Sequence, residues 1–177
     1  GFNPQLRKME DLDIALRLTL AGGKSAWLKK PAVCYRQHGT NLSQDRPGYT
    51  RALEELLDSF FAQKNLPENA RKIERRVRYG SLVWNSWRLY RTGHPEVMAE
   101  YLKKSLQYSK FTPRKTISNW VSNFIYFAAD TNTPFTTSQL RKLPAWQQLI
   151  NSITTQKLPR VSVVIGTYNN AEYIEEA

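Results

Sequence analysis

The sequence predicts a mainly α protein, a helical bundle or helical-hairpin array, with an incomplete α/β segment at each end. In five successive segments between residues 47 and 158, apolar side chains recur at three- and four-residue spacing, which is typical of amphipathic helices. Prolines stand near the starts of several of these segments, where a helix tolerates them. Short runs of β-branched and aromatic residues near both ends predict strands instead. We therefore expect three parts, at residues 1–46, 47–158 and 159–177.

The first part begins with a predicted helix that carries two adjacent acids. Glu10 and Asp11 precede an apolar series that ends at Leu20, and two glycines then stop the helix. Acidic side chains in a first turn interact favourably with unpaired N–H groups and the helix dipole, so capping alone explains this pair. Two short runs follow, SAWL at 25–28 and AVCYR at 32–36, and they predict a pair of strands.

The second part is predicted to contain five helices. They are expected at about 47–64, from Pro67 to Thr92, from Pro95 onward, within 112–130 and at about 137–154, the last with a kink or break at Pro144. The stretch WNSWRLYRTGHPEVMAEYLKKSLQYSKFTP resembles a tetratricopeptide hairpin, although no clear second copy follows. Most Trp and Tyr residues fall on the apolar stripes, which favours a core role over a sugar-stacking surface. Docking of these helices onto a neighbouring domain is the alternative.

The third part is predicted to be a strand-loop-helix segment. Residues 161–165 form a nearly continuous apolar run, which indicates a strand buried on both faces of a parallel sheet. The turn GTYNN follows, and a helix is predicted from about Ala171. Loops after such strands are where open α/β sheets bind ligands, so this turn is a candidate binding segment.

The chain is strongly basic, with a formal net charge of +11. One basic cluster places Arg71, Arg75 and Arg78 on one side of the second predicted helix, with Lys72 and Arg76 beside them. A thinner cluster consists of Lys110, Arg114, Lys115, Arg141, Lys142, Lys157 and Arg160. We expect a solvated helix face first, a membrane-surface or acidic-glycan contact second and nucleic acid last. Nucleic acid ranks last because zinc-ligand spacing, a helix-turn-helix glycine and aromatic RNA-binding motifs are missing from the sequence.

Cys34 is the single cysteine, so the chain cannot form an internal disulfide. Because it lies within the second predicted strand, we expect a buried thiol, as fits a reducing cytoplasm.

Both ends of the chain resemble family 2 glycosyltransferases. The order of motifs in the first part resembles the C-terminal part of their catalytic domain. These motifs are GFNP, then ED-x-D-x-x-x-R, a small strand pair and YR-x-H-x-x-N-x-S. The segment VSVVIGTYN is similar to the opening of such a domain, VSVVIPTYN, with glycine in place of the proline. These enzymes have the GT-A fold and move a sugar from a nucleotide diphosphate to an acceptor. The resemblance therefore implies a tandem glycosyltransferase of bacterial polysaccharide biosynthesis, in which this fragment joins the end of one catalytic domain to the start of another.

The resemblance also implies roles for individual residues in the first part. The second acid of the ED pair is the catalytic base in this family, which assigns Asp11, with Glu10 as its neighbour in the acceptor site. Arg17 is then expected to face the site. His38 and Asn41 are expected on the loop near the diphosphate, and the resemblance implies His38 as a metal ligand.

At the other end, the resemblance places Thr167, Tyr168 and Asn169 in the nucleotide pocket. It implies a divalent metal, Mg²⁺ or Mn²⁺, for the longer enzyme, and we expect the Asp-x-Asp motif that binds this metal to lie outside this chain. The implied partners are a nucleotide-sugar donor and a glycan or other hydroxyl acceptor. The implied location is the cytoplasm, with the basic helices offering a peripheral contact to the inner face of the membrane.

Two other function classes stay open at this point. In the first, the helices form a protein-interaction adaptor without catalysis. In the second, they form a basic module that binds nucleic acid or an anionic membrane surface. A third arrangement, in which both ends join into one sheet, is disfavoured because central strands are missing from the sequence.

Overall fold

The structure is a computed structural model that describes residues 1–26, 28–34 and 45–154. These residues contain seven α-helices, one 3₁₀ turn and no strand, so the predicted mainly α fold is confirmed. The elements are α1 (Glu10–Leu20), α2 (Arg46–Phe61), α3 (Glu68–Arg91), α4 (Pro95–Ser105), the 3₁₀ turn (Leu106–Tyr108), α5 (Pro113–Asp130), α6 (Thr137–Lys142) and α7 (Pro144–Thr154). None of the helices in these ranges is long and apolar enough to span a bilayer.

Prolines occupy the first position of three of the described helices. Pro95, Pro113 and Pro144 each occupy the first position of a helix, where the missing N–H has no intrahelical partner to lose. The last predicted helix is broken rather than kinked. Leu143 has an extended backbone (ψ 124°) between α6 and α7, because the residue before a proline is driven away from helical geometry.

The main core lies between α3, α4, α5 and α7. Helices α3 and α4 form an antiparallel hairpin through a turn in which Gly93 has φ 77°, as the tetratricopeptide-like pattern predicts. Trp87, Trp120 and Phe124 are fully buried at the centre of this core. The prediction that the aromatic stripes form the core is therefore confirmed for these residues.

A smaller core joins α2 to the start of α3. Leu57, Phe61 and Leu66 are buried there, and Leu20 from the end of α1 packs against them. The Lys8 ammonium also pairs with the Asp45 carboxylate at 2.5 Å, just before α2. These contacts hold the N-terminal segment against the helical region.

The predicted strand pair is not formed where the structure describes it. Residues 25, 26 and 28 of the first run and 32–34 of the second have no strand geometry. A strand is stable only when a neighbouring strand completes its backbone hydrogen bonds, and the described residues supply none. Cys34 is accordingly exposed, so the predicted buried thiol is wrong. The end of the second run and the strand-loop-helix unit predicted at 159–177 lie outside the described residues.

Three arginines of the first basic cluster hold neighbouring segments together. Arg71 donates to three carbonyl oxygens of the loop between α2 and α3, at 2.6 to 3.2 Å. Arg75 donates to the carbonyl oxygens of Tyr108 and Ser109, beyond α4. Arg78, with only 12% of its side chain exposed, pairs with one acid of α2 and one of α3. These side chains therefore bind their neighbours instead of forming a freely solvated helix face.

Candidate functional site

The predicted acid pair lies at the start of α1. Met9, the residue before the helix, is 3% exposed and has a left-handed backbone (φ 66°, ψ 14°). That conformation is uncommon for a residue with a side chain and costs roughly 1 kcal/mol or more. Burial of the Met9 side chain and a 2.8 Å hydrogen bond from Asp13 N to Met9 O hold it in place. The acid pair thus follows a fixed and strained turn.

Both acids of the pair are accessible. Asp11 is exposed and Glu10 is half-buried, and neither forms an ion pair with any described residue. The Asp11 Oδ1 atom accepts a hydrogen bond from Leu12 N at 2.7 Å. Leu12 N is one of the first-turn donors without an intrahelical partner, so the capping role predicted from the sequence is confirmed for Asp11. The second carboxylate oxygen of Asp11 keeps the capacity to accept a proton.

Arg17 is occupied elsewhere on α1. Its guanidinium pairs with the Asp13 carboxylate at 2.8 Å and donates to the carbonyl oxygen of Gly1 at 2.8 Å. Arg17 therefore ties the first residues of the chain to the helix. The structure does not bring it into contact with Glu10 or Asp11.

The sequence Asp11-Leu12-Asp13 itself has the form Asp-x-Asp, which corrects the expectation that no such motif lies in this chain. Residues two apart on a helix point to different sides, so these two carboxylates cannot close on one metal ion. Asp13 is moreover paired with Arg17. Within 1–26, 28–34 and 45–154, no group of three or more His, Cys, Asp or Glu residues is placed to hold a metal. The local geometry fits a helix start and does not fit a metal centre.

The remaining predicted site residues cannot be placed beside this pair. His38 and Asn41, expected near the diphosphate, lie outside the described residues, as do Thr167, Tyr168 and Asn169.

A polar cavity of about 220 Å³ lies between α2, α3 and the end of α4. Two ion pairs line it: Arg78 Nη1 with Asp58 Oδ1 at 2.5 Å, and Lys104 Nζ with both carboxylate oxygens of Glu54 at 3.1 Å. Each pair joins α2 to the α3–α4 hairpin. The charges of the cavity wall are thus neutralised in pairs.

Asn85 supplies an unsatisfied group to the same cavity. It is 2% exposed, and its amide nitrogen donates to the carbonyl oxygen of Ser81 at 2.9 Å. Its Oδ1 atom is buried and has no partner among the described residues. A buried acceptor without a donor costs about 1 to 3 kcal/mol, so a water molecule or another small donor is expected there. The paired charges and the buried Asn85 Oδ1 atom suit this cavity to a small polar molecule such as water.

Sequence reasoning did not find this cavity, although a signal existed. Asn85 and Ser86 interrupt the apolar stripe between Trp84 and Trp87, and polar residues at such positions need partners. Both side chains donate to carbonyl oxygens of α3 itself, and the rest of the cavity wall comes from α2 and the end of α4, which the local pattern does not reveal.

Comparison of the chain with known proteins finds no significant match. No protein-family model matches the chain, and neither a curated protein nor a solved structure is significantly similar to it.

Proposed function

We propose that this chain belongs to a glycosyltransferase of the family 2 type and that Asp11 is its catalytic base. Transfer of a sugar to a hydroxyl acceptor with inversion needs a proton acceptor beside that hydroxyl, on the face of the sugar opposite the leaving diphosphate. The proposal starts from the resemblance of both ends of the chain to this family. It takes Asp11 as the base, Glu10 as an acceptor-site neighbour, and the helices α2 to α7 as the connector to a second catalytic domain.

One structural observation carries the assignment of Asp11. Its carboxylate is exposed, lacks a cationic partner within the described residues, and lies two residues after the left-handed Met9. Backbone strain that is maintained by burial clusters at functional sites. A carboxylate held at such a turn is oriented and free to receive a proton.

The remaining parts of the proposed site follow from the resemblance alone. They are the donor pocket at Thr167, Tyr168 and Asn169, the loop with His38 and Asn41, and a divalent Mg²⁺ or Mn²⁺ ion. When bound in the proposed enzyme, that ion would supply charge stabilisation for the diphosphate leaving group.

The test compares Asp11→Asn with Glu10→Gln in the longer protein that the resemblance implies. Asparagine keeps the Oδ1 atom that accepts from Leu12 N, so the start of α1 is preserved while the proton acceptor is lost. We expect the rate of sugar transfer to fall by roughly 100- to 10,000-fold in Asp11→Asn with donor binding unchanged. The rate of sugar transfer should fall less in the Glu10→Gln variant, because Glu10 is only a neighbour of the base.

Two results contradict the assignment. Transfer at the unmodified rate in Asp11→Asn shows that another group is the base. Loss of donor binding in the same variant shows that Asp11 binds the donor or stabilises the fold, and is not the base.

A further inference from the structure

A groove lined by positive charge runs between α3 and α5. Its volume is about 520 Å³, and four of its lining residues are cations: Lys72, Arg75, Arg76 and Lys110. No acid lines it. An unbalanced set of cations in a concave site attracts anions, and the low-dielectric walls strengthen that attraction.

The contacts of these cations leave their charge available. Arg75 is oriented by the carbonyl oxygens of Tyr108 and Ser109, which hold the guanidinium without cancelling its charge. Lys72 pairs with Glu68 at 2.8 Å, but both side chains are at least 70% exposed, so water and salt weaken this pair. Arg76 is exposed and forms no ion pair within the described part of the chain.

The same groove contains fixed hydrogen-bonding groups. The Tyr79 hydroxyl donates to Asn119 Oδ1 at 2.7 Å, and Asn123 Nδ2 donates to the same oxygen at 2.9 Å. Because that oxygen already accepts two bonds, the orientation of the Asn119 amide is set. Its nitrogen is left as an oriented donor on a residue that lines the groove.

The aromatic wall argues for a compact ligand. The ammonium groups of Lys110 and Lys115 each lie 5.3 Å from the centroid of the Phe111 ring. Sequence-independent binding of single-stranded nucleic acid relies on bases that stack on aromatic faces, and this ring is already in contact with two cations. Guanidinium forks together with amide donors match the tetrahedral oxygens of phosphate.

We propose that this groove binds a compact, multiply charged phosphate group, either a free polyphosphate-type ligand or the phosphate head group of a lipid. The site goes beyond the proposed sugar-transfer site: the described residues that line it belong to α3, α5 and the segment before α5, and it does not depend on Asp11.

The experiment is a calorimetric titration of the chain with tripolyphosphate at low salt. The test variant is Arg76→Gln/Lys110→Gln, since neither side chain donates a hydrogen bond to another described residue. The matched control is Arg141→Gln/Lys142→Gln, which removes the same two charges from α6, outside the groove. We expect saturable binding that is at least about tenfold weaker in the test variant, because charge-assisted bonds are lost, and changed by less than about twofold in the control. Circular dichroism of each variant checks that the helices are retained.

A second arm separates the two sources of phosphate. The chain is sedimented with phosphatidylcholine vesicles that contain phosphatidic acid. If the test variant loses vesicle binding and the control keeps it, the ligand is a lipid head group. Tripolyphosphate binding without vesicle binding assigns a free ligand. Equal losses in the test and control variants, or no saturable binding, overturn the proposal. Binding of a single-stranded oligonucleotide without binding of tripolyphosphate overturns it as well.

Discussion

Two buried tryptophans with different hydrogen bonding give a direct test of the core. Trp87 and Trp120 are both 0% exposed. Trp120 Nε1 donates to Ser105 Oγ at 2.9 Å, whereas Trp87 Nε1 is buried without a partner in the described structure. Replacing each by phenylalanine removes the indole N–H and leaves an aromatic ring in the same packing environment.

The difference between the two substitutions follows from those contacts. Both variants lose similar buried volume, so the cost of the cavity is shared to a first approximation. Trp120→Phe also loses a hydrogen bond worth about 0.5 to 1.5 kcal/mol. Trp87→Phe removes an unsatisfied donor whose burial costs about 1 to 3 kcal/mol. We therefore expect Trp120→Phe to lower the free energy of unfolding by about 1.5 to 4.5 kcal/mol more than Trp87→Phe does.

The assay is urea unfolding followed by circular dichroism, with both variants analysed as two-state transitions. Ser105→Ala provides the control, because Ser105 Oγ accepts from Trp120 and not from Trp87, while its own hydroxyl donates to Leu102 O. In the Ser105→Ala background, the excess cost of Trp120→Phe should shrink, and the double-mutant cycle measures that coupling. Equal costs for the two tryptophans, or a larger cost at Trp87, would refute the reasoning.

Two further outcomes are expected from groups at the ends of helices and at the α3–α5 groove. Asp45→Ala should lower the free energy of unfolding by about 1 kcal/mol, because Asp45 accepts a hydrogen bond from Gly48 N at the start of α2 and pairs with Lys8. Urea unfolding measures this loss, and an unchanged midpoint would contradict it. Burial raises the pKa of Tyr79 to about 12 from 10.0, so its contribution to stability is fully present below pH 10 and is lost as the pH rises through 12. Tyr79→Phe should reduce the alkaline loss of stability in pH-dependent unfolding, whereas Tyr126→Phe, at a position that is 65% exposed, should leave that loss unchanged.

The sequence by itself determined where helices form and where most of them end. Apolar spacing marked α2 to α5, and Pro95, Pro113 and Pro144 fixed three helix starts because a proline removes a backbone donor and presets its dihedral angle. These are local effects that act within a few residues, and a single chain records them directly. The acid pair at the start of α1 was predictable for the same reason.

Only the tertiary structure decided which side chains meet. Arg75 reaches carbonyl oxygens 33 and 34 residues further along the chain, and Tyr79 bonds to Asn119 across 40 residues. The spacing of residues within one helix does not specify the angle at which a second helix packs on it, so neither the basic groove nor the cavity at Asn85 could be read from periodicity. Residues 25, 26, 28 and 32–34 of the two predicted strands have no strand geometry for a related reason, since a strand depends on partner strands that the described residues do not provide.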